Sequence, residues 1–293
     1  MNIKKPLFII LALALLCCGG CSTVTFGYNN ADWILRYWIT DYTSFSALQK
    51  DEIHLEVDDY LRWHRRHALP EYTAFLQNIN GVVNQDAALT AGEVALLRAE
   101  SNRLYQLTVA PMIRPAAHLL SALDSRQIAG LGDTFADRNR KQKEEMLQGS
   151  EQEILDKRAE RHAELVEKLV GKLRDEQEKK ITEMSLRIPF ATRPYLEQRE
   201  AKQASLIALL NDHAGEEKIA ALFRQWIATP ETSRSAQQQQ AIAAYESAMN
   251  EMAARIFGLL TTRQKHHLSE KITSYIVDFQ KLNSALEKSV QPR

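Results

Sequence analysis

Beyond residue 30 the apolar positions recur at helical rather than strand spacing. Trp33, Ile34, Tyr37 and Trp38 fall at i, i+1, i+4 and i+5, one face of an amphipathic helix that Asn30 can cap and that runs over about 30–42. Such a face is expected to pack in the core, with a membrane-facing or client-facing patch as the alternative. Ile53, Val57, Tyr60, Leu61, His64 and Ala68 form the stripe of a second helix over 47–78. Pro70 interrupts it: proline has no N–H to donate and crowds the preceding turn, so a kink or break is expected there. Asn80-Gly81 reads as a turn. Thr90 opens a third helix over 90–108, Pro111 and Pro115 allow only a short segment to Ala122, and Asp124 opens a fourth over 124–148.

The stretch 151–187 is the most charged, with Ile154, Leu155, Leu165, Leu169, Leu173 and Ile181 as a thin apolar stripe. Alternating charges there, Arg158 and Glu160 among them, read as a solvated face with i,i+4 pairs. Further helices are expected over 194–211, 217–228, 230–257 and 262–287, with Pro230 at a first helical position and the glutamines of 237–240 on a polar face. Val/Ile/Thr alternation is nearly absent and strong helix formers dominate. The fold class is therefore all-α: an array or bundle of about eight to ten helices, kinked near Pro70, with no sheet. An extended link over 188–193, bounded by Pro189 and Pro194, would separate an N-terminal half (31–188) from a C-terminal half (189–293), unless the helices form one continuous domain.

One helix-start unit recurs: an apolar residue, a capping residue, two more residues, then Gln or Glu. Leu260-Thr261-Thr262-Arg263-Gln264 is the cleanest copy. Leu123-Asp124-Ser125-Arg126-Gln127, Leu89-Thr90-Ala91-Gly92-Glu93 and Phe45-Ser46-Ala47-Leu48-Gln49 follow it. Leu173-Arg174-Asp175-Glu176-Gln177 lacks the capping residue and is the weakest. The unit is a capping box preceded by a hydrophobic staple: the cap side chain accepts from the N3 N–H, and the N3 side chain reaches back to the cap N–H.

The chain start has a different character. Lys4 and Lys5 precede an unbroken apolar run over 7–16, and Cys18-Gly19-Gly20-Cys21-Ser22 follows. A basic start, a short apolar run and small residues describe a secretory leader, and the run is about half the ~20 residues a membrane-spanning helix needs. Gly19-Gly20-Cys21 resembles a bacterial lipobox, although Cys18 stands where Leu is usual. The resemblance implies a signal peptide over 1–20, cleavage and lipidation at Cys21, palmitate among the acyl chains, and a polar tether over 21–30. Ser22 rather than Asp after the Cys implies the outer membrane, facing the periplasm. All three cysteines lie within 17–21, so the body has no disulfide framework.

Lys and Arg number 37, and so do Asp and Glu. Loss of Lys4 and Lys5 with the leader removes two positive charges from a formally neutral chain, which argues against a nucleic-acid partner. The helix-start units resemble those of the LTxxQ periplasmic proteins of the Spy/CpxP type, small helical cradles that bind unfolded proteins or sensor partners. A broader resemblance runs through Tyr28-Asn29-Asn30-Ala31-Asp32-Trp33, Trp63-His64-Arg65-Arg66, Leu69-Pro70-Glu71-Tyr72, Phe135-Ala136-Asp137-Arg138-Asn139 and Arg187-Ile188-Pro189. These segments are similar to an uncharacterised family of all-helical proteobacterial lipoproteins, which implies a lipoprotein with an all-α body and no particular activity.

Chemistry-bearing patterns are sparse. No Gly-x-Ser-x-Gly, P-loop or dinucleotide fingerprint occurs. His64 and His67 lie at i,i+3, but Arg65 and Arg66 between them oppose a cation, and the adjacent His266 and His267 point to different faces. Asp58, Asp59 and Glu71 are the carboxylates near His64, and nothing singles out an acid–base pair among them. Neither a metal nor a cofactor is expected, and no small-molecule ligand is specified. Trp63, Arg65, Arg66 and Tyr72 concentrate aromatic and basic groups at the Pro70 kink and form the candidate partner surface. The role expected is non-enzymatic: an envelope lipoprotein, held to the membrane by its N-terminal lipid, that binds another envelope protein. A holdase chaperone and a peptidoglycan-acting hydrolase are the alternatives.

Overall fold

A computed structural model describes residues 21–85 and 87–290, and among them there is no strand. The signal peptide expected over 1–20 lies outside the described residues. Helices α1 (Cys21–Asn29), α2 (Ala31–Thr40) and α3 (Ala47–Trp63) lead into a π-helical turn, His64–Ala68, and α4 (Leu69–Val83). Then come α5 (Ala91–Val109), a 3₁₀ turn at Ala110–Met112, α6 (Ile113–Ser121), α7 (Ser125–Leu147), α8 (Glu151–Val170) and α9 (Asp175–Leu186). The chain closes with α10 (Thr192–Asn211), α11 (Glu216–Ala228), a 3₁₀ turn at Pro230–Ser233, α12 (Ala236–Leu259) and α13 (Thr262–Val290).

The array is held by apolar clusters that join segments distant in sequence. Phe45, Ile53, Val57, Ile113, Leu131, Leu206 and Ile219 belong to one cluster. Ala163, Val170, Ile181 and Ile188 meet Met252 in another. The last helix, α13, runs back along α4, where Ile272 and Ile276 join Val83. Helices on both sides of residue 189 therefore share cores. The 188–193 link itself is clamped: buried Arg158 on α8 donates to the carbonyls of Ser185 at 2.7 Å, Ile188 at 2.8 Å and Pro189 at 3.3 Å. Arg158 thus satisfies the orphan carbonyls at the end of α9, where a cation also complements the helix dipole. It does not belong to the solvated face expected for it.

Three local expectations are revised. The segment 21–30 is not a loose tether: α1 occupies most of it and packs along α13, and Val24 and Tyr28, one turn apart, are buried, Tyr28 in a cluster with Leu69 and Leu282. Asn80-Gly81 is not a turn, because α4 continues through it to Val83. Helix α2 does not bury Trp33 and Tyr37, which are 67% and 52% exposed; Leu35 and Ile39 pack inward instead. The apolar periodicity of 33–38 was real, but both faces of α2 are apolar, and the core takes the one nearer α3.

The helix-start units pair up. Gln49 and Gln127 face each other, as do Gln177 and Gln264. In each unit the Gln side-chain oxygen accepts the cap-residue N–H, at 2.9 Å in the first and 3.0 Å in the other three. The Gln amide donates across to the carbonyl two residues before the partner's cap: Gln49 to Ala122, Gln127 to Ser44, Gln177 to Leu259 and Gln264 to Lys172. Each pair is a local two-fold arrangement that locks two helix N-termini together. The units ending in Glu, Thr90–Glu93 and Ser150–Glu153, make only their own boxes, on the surface.

Candidate functional site

The sequence stripe of α3 delivers Tyr60 and His64 to one inward face, one turn apart. Proline at position 70 then removes one backbone donor. The chain absorbs the conflict with a single wide turn, in which the Leu69 N–H reaches back five residues to the His64 carbonyl. The expected kink is thus a π-turn inside an otherwise uninterrupted helical stretch. It inserts one extra residue per turn, so it shifts the phase of the helix and sends His64 inward while Arg66 and His67 stay exposed.

His64 is 8% exposed. Its ring is surrounded by those of Tyr28, Tyr60 and Tyr72, with centroids 5.7, 5.8 and 5.6 Å away. The Tyr28 hydroxyl lies 2.7 Å from His64 Nδ1. Arg65 sits over the Tyr28 ring at 5.1 Å and donates to Asn29 Oδ1 at 3.2 Å. Tyr60 donates to the Thr108 carbonyl at 3.3 Å. The Thr108 hydroxyl donates to the Leu104 carbonyl at 2.8 Å and accepts from Tyr72.

Burial governs the protonation of this cluster. It pulls the His64 imidazolium down to about 4, with Arg65 adding to the effect. It pushes the phenols of Tyr28, Tyr60 and Tyr72 above their ordinary range. At neutral pH every member is uncharged and its bonds are made within the protein. The cluster ties α1, the π-turn and α5 together.

The four residues expected to form a partner surface are brought to one region but face different ways. Tyr72 turns inward to Thr108 and Phe279. Trp63 is half-buried between Tyr60 and His67. Arg65 is engaged with Tyr28 and Asn29, and not with an acid. Arg66 is exposed, and among the described residues it has no ion-pair or hydrogen-bond partner. The carboxylates near the turn sit in ion pairs: Asp58 with Arg36, Asp59 with Arg62, and Glu71 with Arg103 at 2.6 Å. His64 and His67 part company, one buried and the other exposed, its ring tilted against that of Trp63. His266 pairs with Glu270 at 3.2 Å. Among the described residues no group of three or more His, Cys, Asp or Glu side chains is arranged to hold a metal.

Tyr28 and Thr108 escaped the sequence reading because no periodicity links them to His64. The i,i+4 relation of Tyr60 to His64 was the one visible signal. A separate open groove of about 690 Å³ lies along α8 and α9, its rim set by Glu153, Asp156, Glu160, Glu164, Glu167 and Glu178. None of the four expected residues lines it.

A family of unknown function, DUF6279, has a model that matches residues 41–232. The chain belongs to the DUF6279 family. The matched DUF6279 span contains the π-turn, Thr108, the Gln49–Gln127 pair and Gln177. Tyr28 on α1 and Gln264 on α13 lie beyond it, so the His64 cluster and the Gln177–Gln264 pair each draw a partner from outside the family span, whereas the Gln49–Gln127 pair lies within it. Neither a curated protein nor a solved structure matches the chain.

Proposed function

We propose that this DUF6279 protein is a lipoprotein of the bacterial cell envelope, attached through Cys21 to the outer membrane and facing the periplasm, with a non-enzymatic role in binding another envelope protein. The anchoring part rests on the lipobox-like Gly19-Gly20-Cys21-Ser22 and the apolar run before it. The binding part rests on one observation, the division of labour at the π-turn. His64 is turned inward and bonded and the nearby carboxylates are held in ion pairs, while Arg66, three residues along the helical stretch from half-buried Trp63, is presented to solvent. An exposed, unpaired guanidinium suits recognition of a carboxylate-bearing protein surface.

The test is crosslinking of the lipidated protein in isolated envelopes, with Cys21→Ala as the anchoring control. Arg66→Ala is the cleaner probe, since Arg65 also braces Tyr28; Arg65→Ala with Arg66→Ala is the stronger one. The expected outcome is one dominant partner, lost in Arg66→Ala while the helical signal and melting temperature are kept. Unchanged capture by the folded variant removes this surface. A broad set of unfolded envelope proteins would replace the reading with a holdase, and an empty result would move the search to small ligands and a cell-wall hydrolase.

A further inference from the structure

Helices α1 and α2 are separated by Asn30 alone, and the Ile34 N–H still reaches the Asn30 carbonyl at 3.2 Å. Their inward positions are Val24, Tyr28, Leu35 and Ile39. Their outward positions carry three of the large apolar side chains that the protein leaves in solvent: Phe26 at 72%, Trp33 at 67% and Tyr37 at 52% exposure. Spacings of seven and four residues return to the same side of a helix, within about 20° and about 40°. Trp33 and Tyr37 also stack, with ring centroids 5.8 Å apart. The charged residues of this stretch, Asp32 and Arg36, pair with each other at 3.6 Å, and Arg36 also pairs with Asp58.

We propose that Phe26, Trp33 and Tyr37 form a membrane-docking stripe, which lies in the headgroup layer of a lipid bilayer with α1 and α2 parallel to its surface. The occupant follows from where the chain goes. The apolar run over 7–16 precedes α1 and the lipobox-like Cys21 is its first residue, and Phe26 lies only about 7.5 Å along the helix from Cys21 at 1.5 Å per residue. Tryptophan and tyrosine favour the bilayer interface, where the ring is apolar on one side and its polar edge stays wet. No described helix is long and apolar enough to cross a membrane, so contact along a helix face is the geometry open to this stripe. Docking would fix the orientation of the whole body, because α1 is bound to the π-turn through Tyr28 and His64. The inference rests on the proposed attachment at Cys21, and the experiment separates the two.

The full-length protein, purified from membranes, is placed in vesicles of phosphatidylethanolamine and phosphatidylglycerol with and without bromine on the acyl chains. Mass spectrometry of the N-terminal peptide reads acylation of Cys21 independently. The protein has four tryptophans, so brominated lipid is expected to quench about one quarter of the emission, and Trp33→Phe to lose most of that quenching. Trp33 is exposed, so the variant should keep its melting temperature. Quenching that is absent, or equal in the wild type and Trp33→Phe, overturns the stripe, whatever Cys21 carries. An acylated Cys21 without Trp33 quenching leaves the anchoring reading standing alone. Trp33 quenching without acylation keeps the stripe and removes the anchor.

Discussion

Gln177 and Gln264, 87 residues apart, donate to each other's side-chain oxygens at 2.9 and 3.1 Å. Each also holds the N–H of its own helix cap and a backbone carbonyl of the other's approach. Gln177 is only 2% exposed. A carboxylate could close the box on its own helix, but it has no N–H to reach the partner. The reciprocal pairing therefore needs Gln at both ends, although Gln alone does not ensure it: the exposed Gln238 box at Ser235 donates to Glu197 instead.

Gln177→Glu should destabilise the protein by about 2–3 kcal/mol, because a buried charge replaces two donated hydrogen bonds. Glu93→Gln, in the exposed box at Thr90, should change stability by less than about 0.5 kcal/mol. Chemical denaturation of the two variants checks the contrast. Equal effects would show that the reciprocal pairing contributes nothing.

Tyr28→Phe removes the hydroxyl that partners His64 Nδ1 at 2.7 Å and leaves that buried nitrogen unpaired, which should cost about 1–3 kcal/mol. The loss should be local, releasing α1 from Leu69 and α13 before the rest unfolds. Limited proteolysis near residue 28, compared with cleavage in the α8–α9 region, reads this directly.

Acid should weaken the fold through its neutral histidines. An unfolded His64 titrates near 6.5 and the folded one near 4, so the unfolded state binds the proton first as pH falls. The His64 contribution should be level above pH 6.5, decline between 6.5 and 4, and flatten below that. The contribution of His64 approaches about 3 kcal/mol at the lower end. His162, held to about 4 by burial with Arg158 and Arg161 and lying 2.8 Å from Ser185 Oγ, acts in the same window and direction. Melting curves of His64→Gln should show a shallower slope over that window, from a lower starting stability.

Asp278 has the opposite sign. It is 1% exposed, its Oδ2 lacks a partner among the described residues, and burial raises its pKa against the pull of Lys281 and Thr25. The folded state prefers the protonated acid, so ionisation lowers stability as pH rises above about 4. Asp278→Asn should therefore stabilise the protein at pH 7 by about 1 kcal/mol, with the gain fading toward pH 4. Thermal melts at pH 7 and pH 4 decide it; a loss at pH 7 would mean that the ionised form has a partner.

The positions of helices were legible in the chain because they depend on local chemistry. Ser46, Thr90, Asp124 and Thr261 cap the helices whose starts they marked, and their boxes close within four residues. The all-α class followed from the same periodicities, and so did the concentration of aromatic and basic groups before Pro70. Which apolar face is buried did not follow. Trp33 and Leu35 are both apolar, and only the placement of α3 and its neighbours chose Leu35 for the core. The weakest helix-start unit, at Arg174, proved to hold the most buried glutamine, because the partner that completes it arrives from α13. The neutral state of His64 was likewise beyond local reading, since Tyr28 and Tyr72, which desolvate it, are brought in by α1 and α4. Local hydrogen bonds and side-chain period are written in neighbouring residues; burial, pairing and proton affinity belong to whichever distant segments the packed array brings together.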